Sequence, residues 1–234
     1  FPTRRSSDLN GPSPQWLQDR LAAIGLRPIS ALVDITNFLT FDLCRPLHVF
    51  DASKLDGDLA LRGGRPHEKL KALDGKEYAL DGEMTVIADN SGAISLGGVI
   101  GGESTGCSDA TTDVFIEAAL FDPVRTAATG RKLGIQSDAR YRFERGLDPE
   151  FTRPGLELAT RLVLDLCGGE PSEIVTAGAV PDWRRDIAFH PARTRTLGGL
   201  DLPVADQRRI LESLGFAVSG SGDTLSVAPP PWRA

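Results

Sequence analysis

Two Asp-Gly pairs, Asp74-Gly75 and Asp81-Gly82, constrain the fold of this chain more than any other feature. An Asp-Gly pair between short apolar runs favours a tight reversal, because glycine readily adopts the positive φ that such turns need. Short apolar or β-branched segments lie around them, at residues 59–61, 76–80, 84–88, 93–96 and 114–118. The middle of the chain is therefore predicted to be an antiparallel β core, barrel-like or sandwich-like in its packing.

Helical segments flank this β core. Residues 13–25 predict a helix with Ser13 as its N-cap, and residues 29–39 predict either a buried strand or the start of a helix. Asp-Pro pairs that are followed later by glycine predict two further helices, at residues 122–134 and 148–168. The predicted fold class is therefore α+β.

The chain divides into segments of different character. Residues 1–12 are expected to be a non-native or disordered leader, because they lack periodicity. Residues 13–182 carry the β core and its helices, and a Pro-Asp-Trp segment predicts a linker near their end. Residues 184–234 hold seven Arg against five acidic residues, unlike the acidic remainder of the chain. They predict a small α/β module with a helix at residues 204–214, expected to be truncated at its C-terminal end.

Composition excludes several classes of protein. The chain has 41% hydrophobic residues and a net charge of −6, which is ordinary for a globular protein and excludes overall disorder. No segment approaches the roughly 18 consecutive apolar residues that a membrane span needs. Cys44, Cys107 and Cys167 are odd in number and widely spaced, which argues against a disulfide framework or a zinc site and suits a reducing cytoplasm. No other spacing of His, Asp or Glu predicts a metal site.

A glycine-rich segment at residues 97–103, Gly-Gly-Val-Ile-Gly-Gly-Glu, is a candidate ligand-binding loop. Glycines lack Cβ atoms, so a ligand or another backbone can approach closely. The segment is not a P-loop, because no Gly-Lys-Ser/Thr follows it, and its spacing does not fit a dinucleotide-binding fingerprint. It predicts either a glycine-rich β-turn or a loop that lines a substrate site.

Two titratable residues are candidates for chemistry. Glu117 lies within an apolar predicted strand, where a carboxylate is costly to bury without a partner. It either alternates toward solvent or is a buried recognition carboxylate. His48 is the most promising of the three histidines for a reactive or ligand-binding role, although a single histidine is more often structural.

A basic strip, defined as residues 125–145, carries six basic and two acidic residues in an otherwise acidic domain. Tyr141 and Phe143 are interleaved with its arginines and add surface for stacking. Such a strip can follow a phosphate backbone, and it can equally be a solvated charged face.

Four motifs occur together and in order. They are residues 27–37 (RPISALVDITN), 45–51 (RPLHVFD), 97–103 (GGVIGGE) and 137–149 (SDARYRFERGLDP). With these motifs the chain resembles the beta subunit of bacterial phenylalanyl-tRNA synthetase. Residues 13–182 resemble the tRNA-editing module of that subunit, and residues 184–234 resemble the small winged-helix-like module that follows it.

The resemblance assigns roles position by position. It implies that the catalytic residues are His48, Arg27 and Glu117. It implies that the substrate-binding residues are Thr36, Asn37, Gly101, Ser137 and Ala139, with Ser137 standing where threonine is common in the family. The predicted tRNA-binding residues, all from the basic strip, are Arg131, Lys132, Arg140 and Arg142.

The reaction that the resemblance implies is hydrolysis of the ester between tyrosine and the tRNA for phenylalanine. Tyrosine is phenylalanine with one added hydroxyl, and an apolar activating pocket rejects such a hydroxyl by only about a hundred-fold. A second site that binds the hydroxyl, with Glu117 accepting its proton, supplies further selectivity. No residue is an obvious general base, so positioning of water, helped by a hydroxyl of the tRNA, is the expected mechanism.

The resemblance also implies partners and limits. Phenylalanine activation belongs to the alpha subunit of an alpha2-beta2 heterotetramer, so ATP and Mg²⁺ are expected to serve the full enzyme and no cofactor is expected here. No aminoacylation is expected from this chain alone, since it has no ATP-binding signature. The expected partners are tRNA and the alpha subunit, without a membrane, in the cytoplasm. Two alternatives stay open: a free-standing hydrolase that edits in trans, and a non-enzymatic RNA-binding or scaffold piece.

Overall fold

The structure is a computed structural model that describes residues 2–4, as backbone only, and residues 10–233. The chain forms two compact units. The first comprises the described residues up to Leu147 together with Phe151–Gly178, and the second comprises Asp148–Glu150 and the chain from Ala179 onward. Within the described ranges, no helix has the length and apolarity that crossing a bilayer requires.

The first unit begins with one short strand and two helices, continues with eight further strands and ends with three helices. Its helices are α1 (Gln15–Ala23), α2 (Ala31–Asp42), α3 (Pro123–Leu133), α4 (Asp138–Phe143) and α5 (Thr152–Cys167). Its strands are β1 (Pro2–Arg4), β2 (His48–Asp51), β3 (Ala60–Gly63), β4 (Lys69–Lys71), β5 (Glu77–Ala79), β6 (Thr85–Asp89), β7 (Gly92–Leu96), β8 (Ile100–Gly101) and β9 (Asp113–Glu117). The α+β class predicted from the sequence is confirmed.

All pairings between these strands are antiparallel, as predicted, and they form three small sheets. The strand orders are β1-β9-β2, β3-β6-β7-β8 and β4-β5. The Asp74-Gly75 turn joins β4 to β5 as the predicted hairpin. Asp81-Gly82 does not form a hairpin, because β6 pairs with β3 and β7, so this turn leads from one sheet to another. Asp81 holds it by accepting from the Glu83 N–H at 2.9 Å and from Lys132 Nζ at 2.7 Å.

Residues 29–39 fold mainly into helix α2, and not into a strand. The helix buries Leu32, Ile35 and Leu39, which lie on one face at helical spacing. These residues pack with α1, α5 and β9 in the core cluster that contains Leu17 and Val114. A second cluster, which includes Phe50, Ile94, Phe121 and Phe143, lies between two sheets and α4 and positions the site described below.

Some helix ends follow the local chemistry that the sequence predicts, and others do not. Asp122 caps α3 by accepting from the Arg125 N–H at 2.7 Å, and Gly134, at φ +66, ends that helix as predicted. The N-cap of α1 is Pro14, because the Ser13 hydroxyl instead donates to Asp34 at 2.5 Å. The helix expected from residue 148 begins at Thr152.

The predicted leader takes part in the fold where it is described. Strand β1 (Pro2–Arg4) pairs in antiparallel fashion with Asp113–Phe115 of β9. Backbone pairing needs no hydrophobic periodicity, so this strand gave no signal in the sequence. The remaining residues of that leader before Asn10, namely residue 1 and residues 5–9, lie outside the described ranges.

The second unit is a small α/β module. Its elements are β10 (Ile187–Phe189), α6 (Ala192–Thr196), α7 (Val204–Ser213), β11 (Ala217–Ser219) and β12 (Leu225–Ala228), with the sheet order β10-β12-β11. Buried Gln207 joins its helices, accepting from Thr194 Oγ1 at 2.7 Å and donating to the Leu202 carbonyl at 2.8 Å. The helix predicted at residues 204–214 is confirmed to within one residue.

Candidate functional site

A small cavity in the first unit contains four of the residues that the sequence singled out. His48, Gly101, Glu117 and Ala139 all line it, and we call it the His48–Glu117 cavity. The rest of its wall is almost entirely apolar or glycine, and includes Pro46, Leu47, Gly98, Val99, Phe121 and Phe143. Its volume of about 60 Å³ accommodates several ordered water molecules.

His48 and Glu117 face each other across two paired strands. They are direct partners in the antiparallel register of β2 and β9, which places their Cβ atoms about 5 Å apart on one face of the sheet. The neighbouring residues Val114 and Ile116 point to the opposite face and are buried in the helical core. Alternation therefore directs Glu117 into the cavity, where it is half-buried, and not to open solvent.

Burial shifts the pKa values of both side chains so that the neutral form of each is favoured. Burial raises the pKa of Glu117 to about 7, although the positive charge of Arg45 acts in the opposite sense. Burial lowers the pKa of His48 to about 4, so this imidazole is neutral at pH 7. Its Nε2 atom is buried and has no hydrogen-bond partner within residues 10–233. A buried polar atom without a partner is costly, which marks this nitrogen as a position for a bound water or ligand.

The glycines of residues 97–103 let aromatic rings form the cavity wall. A Cβ on Gly101 would overlap the His48 imidazole and lie 3.1 Å from Leu73. A Cβ on Gly98 would lie 2.8 Å from the Phe121 ring and 3.1 Å from the Phe143 ring, and this glycine also has φ +70. The segment therefore forms the predicted glycine-rich turn between β7 and β8, and it also lines the cavity, while a role in binding a substrate stays a prediction.

Arg45 is a residue near the site to which sequence reasoning gave no role. It is almost completely buried, and its Nη1 donates to Thr152 Oγ1 at 2.9 Å. Its guanidinium lies 6.0 Å from the centre of the Phe143 ring, and its stem fills the space beside Gly155. Arg45 thus brings a fixed positive charge near Glu117. Its place in the motif before Pro46 was the only signal in the sequence, since burial of an arginine depends on distant residues.

Three predicted site residues in or just before α2 are not part of the cavity wall. Arg27 is exposed in the connection between α1 and α2. Thr36 and Asn37 lie within α2, where Thr36 Oγ1 donates to the Val33 carbonyl at 2.8 Å. Asp34 fixes the connection by accepting from the Ile29 N–H at 2.9 Å. The roles assigned to Arg27, Thr36 and Asn37 stay predictions.

Ser137 connects the cavity wall to α4. Its hydroxyl donates to the carbonyl of Val99 at 2.6 Å and accepts from the Arg140 N–H at 3.1 Å, so it caps the helix. It does not line the His48–Glu117 cavity itself. Its position ties α4, which carries Ala139 and Phe143, to the glycine-rich turn.

The four predicted tRNA-binding residues differ in their surroundings. Arg140 lies against Gly130 and pairs with Glu144 at 3.1 Å, and Arg142 stacks over Phe41 at 4.3 Å. Their side chains are only 13% and 14% exposed. Lys132 is half exposed and pairs with Asp81 at 2.7 Å, whereas Arg131 is exposed. Arg131 is therefore the member of this set that a phosphate can reach most readily.

Throughout the part of the chain that the structure describes, no three His, Cys, Asp or Glu side chains are placed to hold a metal ion together.

Comparison with known proteins places this α+β unit in a family. The chain belongs to the B3/4 domain family, whose model matches residues 3–168. A second family model, the tRNA synthetase B5 domain, matches residues 187–234.

Curated relatives make the resemblance specific. The phenylalanine–tRNA ligase beta subunit of Paramagnetospirillum magneticum is 61% identical over 96% of this chain and 28% of its own length. The same subunit of Nitrobacter winogradskyi is 59% identical, again over 96% of this chain and 28% of its own length. The chain thus spans little more than a quarter of these relatives, and its resemblance to part of the bacterial beta subunit is confirmed. A crystal structure of an N-terminal fragment of the Pyrococcus horikoshii beta subunit is more distant, at 17% identity and a TM-score of 0.38, covering 87% of this chain and 60% of that one.

Proposed function

We propose that the His48–Glu117 cavity hydrolyses the ester of tyrosine wrongly attached to the tRNA for phenylalanine. The observation that carries this proposal is a carboxyl group that faces a histidine whose Nε2 has no hydrogen-bond partner among the described residues, in an almost entirely apolar cavity. In this proposal residues 13–182 form the editing domain, and residues 184–234 form the small winged-helix-like module that follows it in the chain. The family membership and the two beta-subunit relatives support the assignment.

Glu117 is the residue that recognises the phenol. As a carboxylate it accepts a charge-assisted hydrogen bond from the tyrosine hydroxyl, while Phe121 and Phe143 contact the ring and Ala139 leaves room for it. Phenylalanine cannot make this bond, and its ring would cover the half-buried carboxyl without giving it a partner, which costs about 1–3 kcal/mol. This difference separates two substrates that an apolar pocket alone distinguishes poorly.

His48 positions water for the attack on the ester. Its imidazole is neutral at pH 7 and its Nε2 lacks a partner in the described chain, so a water that binds there is held without a competing charge. Edge contact with the Phe50 ring, at 4.4 Å between centroids, keeps the imidazole in place. Fixing water next to the ester lowers the entropic part of the barrier, and a hydroxyl of the tRNA assists. Arg27 is proposed to contact the terminal adenosine from the α1–α2 connection.

The rest of the ligase reaction lies outside this chain. ATP and Mg²⁺ are proposed to serve phenylalanine activation on an alpha subunit in the heterotetramer, and no step at the His48–Glu117 cavity uses them. A free-standing hydrolase that edits in trans predicts the same chemistry, and the B5 match favours the multidomain subunit instead. If the chain were a non-enzymatic RNA-binding piece, it would hydrolyse neither ester, which distinguishes this alternative from the beta subunit and from the free-standing hydrolase.

The proposal is tested by the pH dependence of ester selectivity. The tRNA for phenylalanine is charged with tyrosine or with phenylalanine, and each ester is incubated separately with the protein between pH 6 and 8. The release of each amino acid is measured. Tyrosine release is expected to be preferred, and the ratio of the two rates is expected to rise about fivefold as pH passes about 7, because Glu117 ionises there and a charged acceptor binds the phenol more strongly. His48 does not titrate in this window.

Glu117→Gln is the matched control for this experiment. The amide keeps a hydrogen-bonding oxygen of similar size but does not ionise, so the ratio is expected to stay flat with pH. The phenylalanyl ester corrects for hydroxide-catalysed hydrolysis, which affects both esters. Equal rates for the two esters at every pH contradict the proposal.

The basic strip is proposed to contact tRNA phosphates, chiefly through Arg131. Replacing Arg131 by Ala is expected to weaken tRNA binding and to reduce the slope of log affinity against log salt by about 0.7–0.9, the value for one lost phosphate contact. Arg161→Ala, at an exposed arginine of α5, is the control and should leave the slope unchanged. An unchanged slope in Arg131→Ala means that this residue is part of a solvated face only.

A further inference from the structure

A second cavity lies beside α4. Its volume is about 460 Å³, and we call it the Tyr141 cavity. It is lined by Gln136, Ser137, Asp138, Arg140, Tyr141 and Glu144. The same short helix thus contributes Ala139 and Phe143 to the His48–Glu117 cavity and other residues to this one. Ser137 lines the Tyr141 cavity, and its hydroxyl donates at 2.6 Å to the carbonyl of Val99, which lines the His48–Glu117 cavity. The two cavities are therefore neighbours, within about one helix diameter, roughly 10 Å, of each other.

Tyr141 presents an aromatic ring at this cavity. The residue is 58% exposed, a large fraction for an aromatic side chain. The Arg145 guanidinium lies 3.7 Å from the ring centre, and its Nη1 donates to the Tyr141 carbonyl at 2.7 Å and to Glu144 at 3.0 Å. These bonds fix the arginine on the ring. A tyrosine and an arginine held together in this way offer a stacking platform for a planar group.

The charges around the cavity largely cancel. Glu144 is bound by Arg140 at 3.1 Å and by Arg145 at 3.0 Å, and Asp138 is paired with Arg142 at 3.4 Å. A free phosphate would meet these two carboxylates, and a cation would meet Arg140, which also lines the cavity. A neutral group with hydrogen-bond donors and acceptors on its edge suits this lining best, and Gln136 offers both an amide donor and an acceptor. A flat, neutral, hydrogen-bonding group is the description of a nucleobase.

We infer that the Tyr141 cavity binds an unpaired nucleobase at the 3′ end of an RNA, with Tyr141 stacking on the base. The inference rests on the proposed function in one respect, because it takes the ester in the His48–Glu117 cavity to belong to the same RNA end. An aminoacyl group is attached directly to its terminal nucleotide, so the base must lie within about one helix diameter of the ester site. The Tyr141 cavity meets this requirement.

The test is equilibrium binding of a labelled single-stranded RNA oligonucleotide that carries no amino acid, measured by fluorescence anisotropy. Loss of one base–aromatic stack weakens binding by about 5- to 100-fold, so Tyr141→Ala is expected to lose affinity by that factor. Tyr141→Phe keeps the ring and should bind as the wild type does. Tyr78→Ala removes a tyrosine of the β4–β5 hairpin outside the cavity, and should also bind normally.

An oligonucleotide with an abasic 3′ terminal position identifies the recognised group. The wild-type protein should bind it more weakly than the intact oligonucleotide, and Tyr141→Ala should reduce that binding no further. If Tyr141→Ala binds the intact oligonucleotide as tightly as the wild type, or if removal of the base has no effect, the inference is wrong.

Failure of the inference and failure of the proposed function give different results. Loss of oligonucleotide binding in Tyr141→Ala together with no hydrolysis of either ester by the wild type supports the nucleobase site and overturns the editing proposal. Preferred hydrolysis of tyrosyl-tRNA together with unchanged oligonucleotide binding in Tyr141→Ala supports the editing proposal and overturns the nucleobase site. When both proposals hold, Tyr141→Ala should raise the KM for tyrosyl-tRNA and leave kcat nearly unchanged, because the ring contacts the nucleotide and not the ester.

Discussion

Replacing Gly101 by alanine is expected to slow hydrolysis of both the tyrosyl and the phenylalanyl ester by about a hundred-fold. The added Cβ would occupy the position of the His48 ring, with Nε2 only 2.8 Å away, and Leu73 closes the space on another side at 3.1 Å. The imidazole must move, and Phe50 restricts where it can go. A displacement of about 1 Å in a group that positions a reactant costs roughly this factor. Release of each amino acid under single-turnover conditions measures the effect.

Gly82→Ala is the matched control for the substitution of Gly101. Gly82 lies in the turn after Asp81, does not have a positive φ, and a Cβ there would meet its nearest heavy atom at 3.9 Å, an ordinary contact. Both variants should retain the thermal unfolding midpoint of the wild type to within a few degrees. If Gly101→Ala folds normally and still hydrolyses both esters at the wild-type rate, His48 does not position the water in this cavity.

The sequence was sufficient to predict those elements whose ends are set by residues close together in the chain. Helix α3 begins after Asp122 and ends before Gly134, as predicted, because a side-chain cap and a glycine with positive φ act within a few residues of the chain. The hairpin at Asp74-Gly75 is another such case. Asp81-Gly82 carries the same dipeptide and yet joins two sheets, because the choice of strand partner depends on residues far away in the sequence.

Other elements were missed because their signals are too short or ambiguous. Helix α4 spans only six residues, fewer than two turns, so no periodicity could reveal it. Residues 29–39 combine β-branched and aromatic residues that favour a strand with apolar positions that also fit helix α2. Tertiary packing against α1 and α5 decides in favour of the helix.

The site shows the same division between local and distant information. His48 and Glu117 were each identified singly, but their pairing follows from the register of β2 and β9, which the sequence does not specify. The role of Arg45 depends on Thr152 of α5 and Phe143 of α4, which are distant in the sequence. Charge counting identified the basic strip, but not that the guanidinium groups of Arg140 and Arg142 have partners within the fold.

Removing the Glu117 carboxyl should change selectivity without blocking the cavity. Glu117→Ala is expected to lose about 10- to 100-fold of the preference for the tyrosyl ester, because one charge-assisted hydrogen bond of about 1.5–3 kcal/mol is lost. Hydrolysis of the phenylalanyl ester should stay the same or rise slightly, since the carboxyl group that phenylalanine leaves without a partner is gone. The ratio of the two rates, measured at pH 8 where the wild-type carboxyl is mostly ionised, reports the effect.

Glu103→Ala separates the loss of a particular carboxylate from the loss of any negative charge near the glycine-rich turn. Glu103 is exposed, pairs with Lys71 at 2.9 Å and is not part of the cavity wall, so its removal should leave the selectivity unchanged. The opposing behaviour of the two esters is the decisive feature of Glu117→Ala, because a general loss of structure slows both. If both esters slow by the same factor, Glu117 acts on the water or on the framework of the site, and recognition of the phenol must come from another group.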